Sequence, residues 1–209
     1  VIPGLIGYEA CQSAFGDVYA WFRDLLLWPA KILKDQEGPL NKTETESLIR
    51  RLYEAVIPAL EEEAKSIDPL ESGVIALDWL NGRRTPDANQ ALRGGIMGIH
   101  LGTDAPRIYR ALIEATAYGA KAITDRFREE EIPIESVIAL GGVSQKSELV
   151  MQITADVFNM DVSVSASEQA CALGAAMFAA VAAGVHPDVE TAQDKMAAGF
   201  SRVYTPRPE

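Results

Sequence analysis

Between residues 136 and 148 an apolar, partly β-branched stretch, Ser136-Val-Ile-Ala-Leu140, runs directly into Gly141-Gly142. Val143-Ser-Gln-Lys146-Ser147-Glu148 follows and opens a helical pattern. A strand that passes into a helix through two residues without a Cβ restricts the chain to few architectures. The pattern then continues. Lys146 to Asn159 reads as a helix, Val162-Ser-Val164 as a strand and Gln169 to Ala183 as a second helix. Strand, helix, strand, helix predicts an α/β fold, a layered sheet with helices on its faces.

The preceding residues are organised differently. Phe15, Val18, Phe22, Leu25 and Leu26 recur at helical spacing within a segment from Glu9 to about Asp35 that Pro29 interrupts. A second helix is predicted from Thr43 to Lys65, its start marked by Thr43 with Glu46 three residues on. The first third is therefore expected to be all-helical. Val74-Ile-Ala-Leu77 reads as a short strand, Asn81 to Asn89 as a Gly- and Pro-punctuated loop. Arg107 to Glu130 reads as a long helix whose small residues, Ala115 and Gly119, face a close neighbour.

At 209 residues the chain is one large domain or two small ones, enough for a core without disulfides or metal. Its 30 acidic residues against 19 basic ones give a formal charge of −11. That balance argues against nucleic acid and anionic lipid as partners, since both call for clustered Lys and Arg. The longest apolar run, Ala170 to Val185, falls short of the roughly 18 residues a membrane span needs and, with its Ala and Gly, reads as a buried helix. Two cysteines and two histidines form neither a disulfide framework nor a metal-ligand spacing. The class expected is a cytoplasmic enzyme or part of one. The opening Val1-Ile-Pro-Gly, without an initiator Met or a signal-peptide pattern, reads as a cut inside a longer protein.

Gly141-Gly142 is the sharpest chemical feature. Paired glycines let the backbone approach a flat or anionic ligand, and a helix start offers free N–H groups suited to a nucleotide. The same pair also suits a plain strand-to-helix turn that needs positive φ. The turn is neither a dinucleotide fingerprint, because no third glycine follows at the right offset, nor a Walker loop, because no Gly-Lys-Ser/Thr ends it. An oxidoreductase reading fails for the first reason. Ser165 to Ala176 reads as a capped helix in which Gly174 permits close packing and Cys171 is a small buried hydrophobe. Glu9 reads as a helix-dipole partner or as an acceptor for substrate hydroxyls. Asn81, Arg83 and Arg84 suit an anion or a salt-bridged loop.

Several segments, in order, resemble the C-terminal half of the FGGY family of carbohydrate kinases, most closely its ribulokinase branch. They are Pro3 to Asp17 (PGLIGYEACQSAFGD), Ala76 to Pro86 (ALDWLNGRRTP), Ala139 to Gly142 and Ala172 to Ala176 (ALGAA). The Asn-Gly-Arg-Arg-Thr-Pro segment is characteristic of the branch, whereas the Gly-Gly turn and the Ala-Leu-Gly-Ala-Ala helix are family-wide. The resemblance implies an actin-like ATPase fold (ribonuclease H-like) of two domains, with this chain as the adenosine-binding C-terminal one. It implies ATP contacts at Gly141, Gly142 and Lys146, a purine contact at Gly16, and a sugar contact at Glu9, the acidic residue opening the first helix. Where relatives carry a Gln one turn beyond that glycine, this chain has Ala20.

The same resemblance implies ATP and Mg²⁺ as cofactors, and ATP or ADP and L-ribulose as partners, with a homo-oligomer left open. The phosphate-binding Gly-Thr turn, the catalytic Asp and the Asp that positions Mg²⁺ are expected before the start of this chain, so no catalytic residue and no metal ligand is assigned within it. The longer protein is expected to phosphorylate L-ribulose to L-ribulose 5-phosphate in L-arabinose catabolism, and this chain alone to be inactive. Two other readings stand beside it: an actin-like module that binds nucleotide or a partner without chemistry, and a kinase for another pentulose.

Overall fold

The computed structural model describes residues 4, 6–35 and 41–207. Contacts divide the chain into two compact units, one of residues Cys11–Ile123 and one of Val1–Ala10 with Thr124–Glu209.

The Cys11–Ile123 unit begins with three helices: α1 (Gly16–Leu26), α2 (Trp28–Asp35) and α3 (Lys42–Lys65). Helix α1 starts at Gly16, not at Glu9, so the residues before it form an irregular approach. Its buried face is Val18, Tyr19 and Phe22, the expected i, i+1, i+4 stripe. The break between α1 and α2 falls at Leu27 rather than at Pro29. Proline sits in the first turn of α2, where its missing N–H leaves no hydrogen bond unmade. Helix α3 begins one residue earlier than the sequence suggests, because Asn41 outcompetes Thr43 as the cap. The Asn41 Oδ1 accepts from the Glu44 N–H at 3.0 Å and the Glu44 carboxylate accepts from the Asn41 N–H at 2.9 Å.

After the short α4 (Pro69–Ser72), strands β1 (Ile75–Leu77) and β2 (Gly95–Met97) pair antiparallel, Ile75 opposite Met97. The loop between them carries residues 78–94. Helix α5 (Ala105–Glu129) supplies the centre of this unit's core, with Tyr109, Leu112 and Ile113 each at most 1% exposed. Tyr109 takes the Phe22 ring in a stack at 6.4 Å and the Tyr19 ring edge-on at 5.8 Å. These aromatic contacts bind α1 to α5.

The second unit holds the predicted alternation with more elements than the sequence shows. In order they are β3 (Val137–Ala139), α6 (Gly142–Lys146), α7 (Glu148–Phe158), β4 (Val162–Ser165), α8 (Ala170–Ala182), α9 (Val189–Met196) and β5 (Phe200–Tyr204). Strands β3 and β4 run parallel with α7 as the crossover, and β5 adds antiparallel to β4. Val162 and Val164 from β4 meet Leu149, Val150, Ile153 and Ala155 of α7 in the unit's buried apolar set. The helix predicted from Lys146 to Asn159 is α7, and the short α6 precedes it within the stretch expected to be turn. Ser147 breaks the ladder, and its Oγ accepts from the Val150 N–H at 3.1 Å to start α7.

Helix α8 contradicts its sequence reading. None of its residues is buried, Phe178 is 46% exposed, and nothing lies within 4 Å of a Cβ built on Gly174. Cys171 on it is exposed, not a buried hydrophobe. A helix apolar all round gives no sign in its own sequence of which face, if any, its neighbours cover. Among the described residues no helix is long and apolar enough to cross a membrane.

Candidate functional site

Strand β3 delivers the chain to Gly141 at φ 90° and ψ −178°, a conformation essentially restricted to glycine. The turn reading of the glycine pair therefore holds at Gly141. The Ser144 Oγ donates to the Gly141 carbonyl at 2.8 Å and the Gln145 N–H donates to it at 3.3 Å, which closes the turn. Gln145 also donates through its side chain to the Ser165 carbonyl at the end of β4, tying the turn to the neighbouring strand.

Gly142 is different. It has no positive φ, and among the described residues no atom beyond its chain neighbours and the backbone of its own helix lies within 4 Å of a Cβ built there. Neither backbone conformation nor packing among the described residues calls for glycine at this position. What its missing side chain leaves is an open backbone surface at an exposed turn. Lys146 ends the five-residue α6, exposed and without a hydrogen bond or ion pair to a described residue. Gly141, Gly142 and Lys146 thus share one turn.

Gly16 belongs to the Cys11–Ile123 unit and is the first residue of α1. Glu9 lies in the other unit, exposed, in irregular chain. It does not open a helix, so its reading as a helix-dipole partner and its placement at the helix start are both corrected. The helical spacing of the apolar residues begins at Phe15, and the polar residues before it carry no helical signal of their own.

A second polar arrangement lies in the Cys11–Ile123 unit. The Gln12 side-chain N–H₂ donates to the Asp78 carboxylate and, at 3.0 Å, to the Thr116 carbonyl. Thr116 Oγ1 gives its proton to the Ile113 carbonyl at 2.8 Å. The 2.6 Å contact with Tyr19 is therefore a bond that the Tyr19 O–H donates. Cys11 and Thr85 exchange two bonds, the Cys11 carbonyl accepting from the Thr85 N–H at 3.2 Å and the Thr85 Oγ1 from the Cys11 N–H at 3.4 Å. Asp78 is 8% exposed, and burial, offset in part by Gln12, holds its pKa above the usual carboxylate range. Gly119 of α5 accommodates the pair, since a Cβ there would lie 2.3 Å from Asp78 Oδ2 and 2.4 Å from Gln12 Nε2. The expected close neighbour of Gly119 is this carboxylate.

Gln12 and Asp78 were not singled out as site residues by the sequence. The available signal was an acidic residue directly after an apolar strand, where burial must be matched by a partner. Arg83 is committed locally. Its Nε donates to the Asp87 carbonyl at 3.1 Å and its guanidinium sits 5.3 Å from the Trp79 ring centre.

The residues fit the groups expected to bind to different degrees. The open Gly142 surface suits a nucleotide's flat part. For Mg²⁺ the described residues offer no group of three or more His, Cys, Asp or Glu side chains. No step through the metal is assigned to this chain.

Comparison with known proteins agrees with this fold. Residues 1–183 match the C-terminal domain of the FGGY family of carbohydrate kinases. A ribulokinase of Vibrio parahaemolyticus is 46% identical over 208 residues, covering 100% of this chain and 36% of that protein. One from Halalkalibacterium halodurans is 42% identical over 213 residues, covering 100% of this chain and 35% of its own length. The chain therefore spans about a third of the relatives it matches. Among solved structures, a xylulose kinase from Rhodospirillum rubrum superposes with a TM-score of 0.69 at 23% identity, over 95% of this chain and 35% of that one. That likeness extends to the fold, and with the sequence match it places this chain in the FGGY family of carbohydrate kinases, within the C-terminal domain.

Proposed function

We propose that this chain is the adenosine-binding domain of an ATP-dependent L-ribulokinase. The reaction of the whole protein moves the γ-phosphoryl group of ATP onto the 5-hydroxyl of L-ribulose, in the cytoplasm, as a step in L-arabinose use. The observation that carries the reading is Gly142, a glycine required neither by its φ nor by its neighbours, beside a Gly141 that is required. A bare backbone kept where the fold does not need it is what a flat ligand lying on the turn requires. The ribulokinase relatives support the sugar.

In this reading Gly141 sets the turn, Gly142 takes the adenosine and Lys146 lines the nucleotide. Gly16 contacts the purine and Glu9 accepts a hydrogen bond from a sugar hydroxyl. The chain's share of phosphoryl transfer is positioning, which is most of what that chemistry asks of a protein. The catalytic base and the metal ligands belong to the N-terminal sugar-binding domain, outside these 209 residues.

Calorimetric titration with ADP tests the nucleotide site. The chain is expected to bind ADP and Gly142→Val to lose at least 10-fold in affinity. The open surroundings of Gly142 leave the fold of the variant intact, which an unchanged thermal midpoint verifies. Undiminished binding by the variant would overturn the assignment.

A further inference from the structure

The loop from Asn81 to Pro86 was legible as a motif but has no part in the nucleotide reading. In the structure its residues Gly82 to Pro86 line a cavity of about 220 Å³ whose lining lies wholly within the Cys11–Ile123 unit. Gln12, Ser13, Asp78, Trp79 and Tyr118 line it too.

Three of these groups have bonding capacity that the protein does not use. Asp78 is nine-tenths buried, and beyond its own backbone N–H its carboxylate takes a bond from Gln12. A carboxylate accepts about four bonds, so capacity remains on its cavity side. The Ser13 Oγ has no hydrogen-bond partner among the described residues. Arg84, one residue from the committed Arg83, makes no ion pair or hydrogen bond to a described residue although it lines the same space. An unmatched buried hydroxyl and a part-satisfied buried carboxylate are costly in a cavity that serves no ligand.

The charges select the ligand. A bare anion would meet the Asp78 carboxylate, and a neutral polyol would leave Arg84 unmatched. A small compound with hydroxyls at one end and an anionic group at the other satisfies both. The cavity is smaller than the roughly 300–1,000 Å³ of pockets for drug-sized ligands. We propose that it binds a sugar phosphate, with the hydroxyls on Asp78 and Ser13 and the phosphate on Arg84. Arginine suits this role because its planar fork matches phosphate oxygens in pairs. This site is separate from the Gly141-Gly142 turn and stands whether or not that turn binds adenosine.

The test is titration of the protein with L-ribulose 5-phosphate and D-fructose 6-phosphate, against inorganic phosphate and L-ribulose. At least one sugar phosphate is expected to saturate and to bind 10-fold or more tightly than inorganic phosphate or the free sugar. Arg84→Ala removes an exposed side chain with no hydrogen bond or ion pair to a described residue, so the variant is expected to fold, and it is expected to lose 10-fold or more in sugar-phosphate affinity. Asp78→Asn is expected to weaken the same ligand, while ADP binding is unchanged in both variants. No saturation by either sugar phosphate, or undiminished binding by Arg84→Ala, overturns the proposal. Inorganic phosphate binding as tightly as the sugar phosphates also overturns it, because the hydroxyl end then contributes nothing.

Discussion

Gly98 leaves β2 at φ 78°, and a Cβ built on it would lie 1.9 Å from the Gly73 carbonyl oxygen. Two independent penalties meet there, a backbone conformation that L side chains rarely adopt and a collision with main chain, which cannot rotate aside as a side-chain end can. Strain of this kind costs about 1–3 kcal/mol by itself, and the collision adds to it. Gly98→Ala is therefore expected to lower stability by about 2–4 kcal/mol, measured by urea unfolding. Gly142, with neither penalty, is the opposite case, so its substitution reports on ligand rather than on fold. The sequence displays the two glycines alike. Only φ and neighbour distances separate them, and both depend on residues far away in the chain.

At the scale of elements, the ends of helices were partly legible. Asn41 and Glu44 form a complete capping box, yet Thr43 and Glu46 offer the same spacing two residues later. The choice went to the stronger cap. Strand β5 was not seen because Phe200 to Val203 are all exposed and show no alternation. It is held instead by pairing with β4, and the chain beyond it by a charged clamp on α7. The Asp156 carboxylate accepts from the Arg207 backbone N–H at 2.9 Å and from its guanidinium at 2.6 and 3.1 Å, while Gln152 donates to the Thr205 carbonyl at 2.8 Å.

Burial pushes the Asp156 pKa up, but the bonds from Arg207 and Gln152 outweigh it and leave the pKa below the ordinary value. A depressed carboxylate contributes stability above its unfolded pKa and loses it as pH falls through the folded one. The clamp is thus at full strength above about pH 5 and is lost progressively below about pH 4. Asp156→Asn is expected to cost about 1 kcal/mol at neutral pH and to flatten this part of the acid dependence, read by thermal melts across pH.

At the scale of the molecule, the chain holds an open glycine turn and a polar cavity but no group of three or more potential metal ligands among its described residues. Phosphoryl transfer from ATP needs the charge of the phosphates neutralised as well as the reactants positioned. The 209-residue chain alone is expected to release no ADP in an L-ribulose-dependent way, measured by a coupled assay. Such release would overturn the division of labour proposed above.

The sequence by itself determined the order of α/β elements in the last third, the glycine turn at the end of β3, the loop after β1 and the family. These rest on short-range patterns: apolar spacing, turn residues and contiguous motifs. Tertiary contacts settle that Gly142 is free while Gly141 needs a conformation open only to glycine, that Glu9 lies outside α1, that α8 has no buried residue, and that Gln12 and Asp78 meet over Gly119. Each of these depends on which distant residues come into contact. Burial, desolvation and steric room are set by those contacts, and no local pattern encodes them.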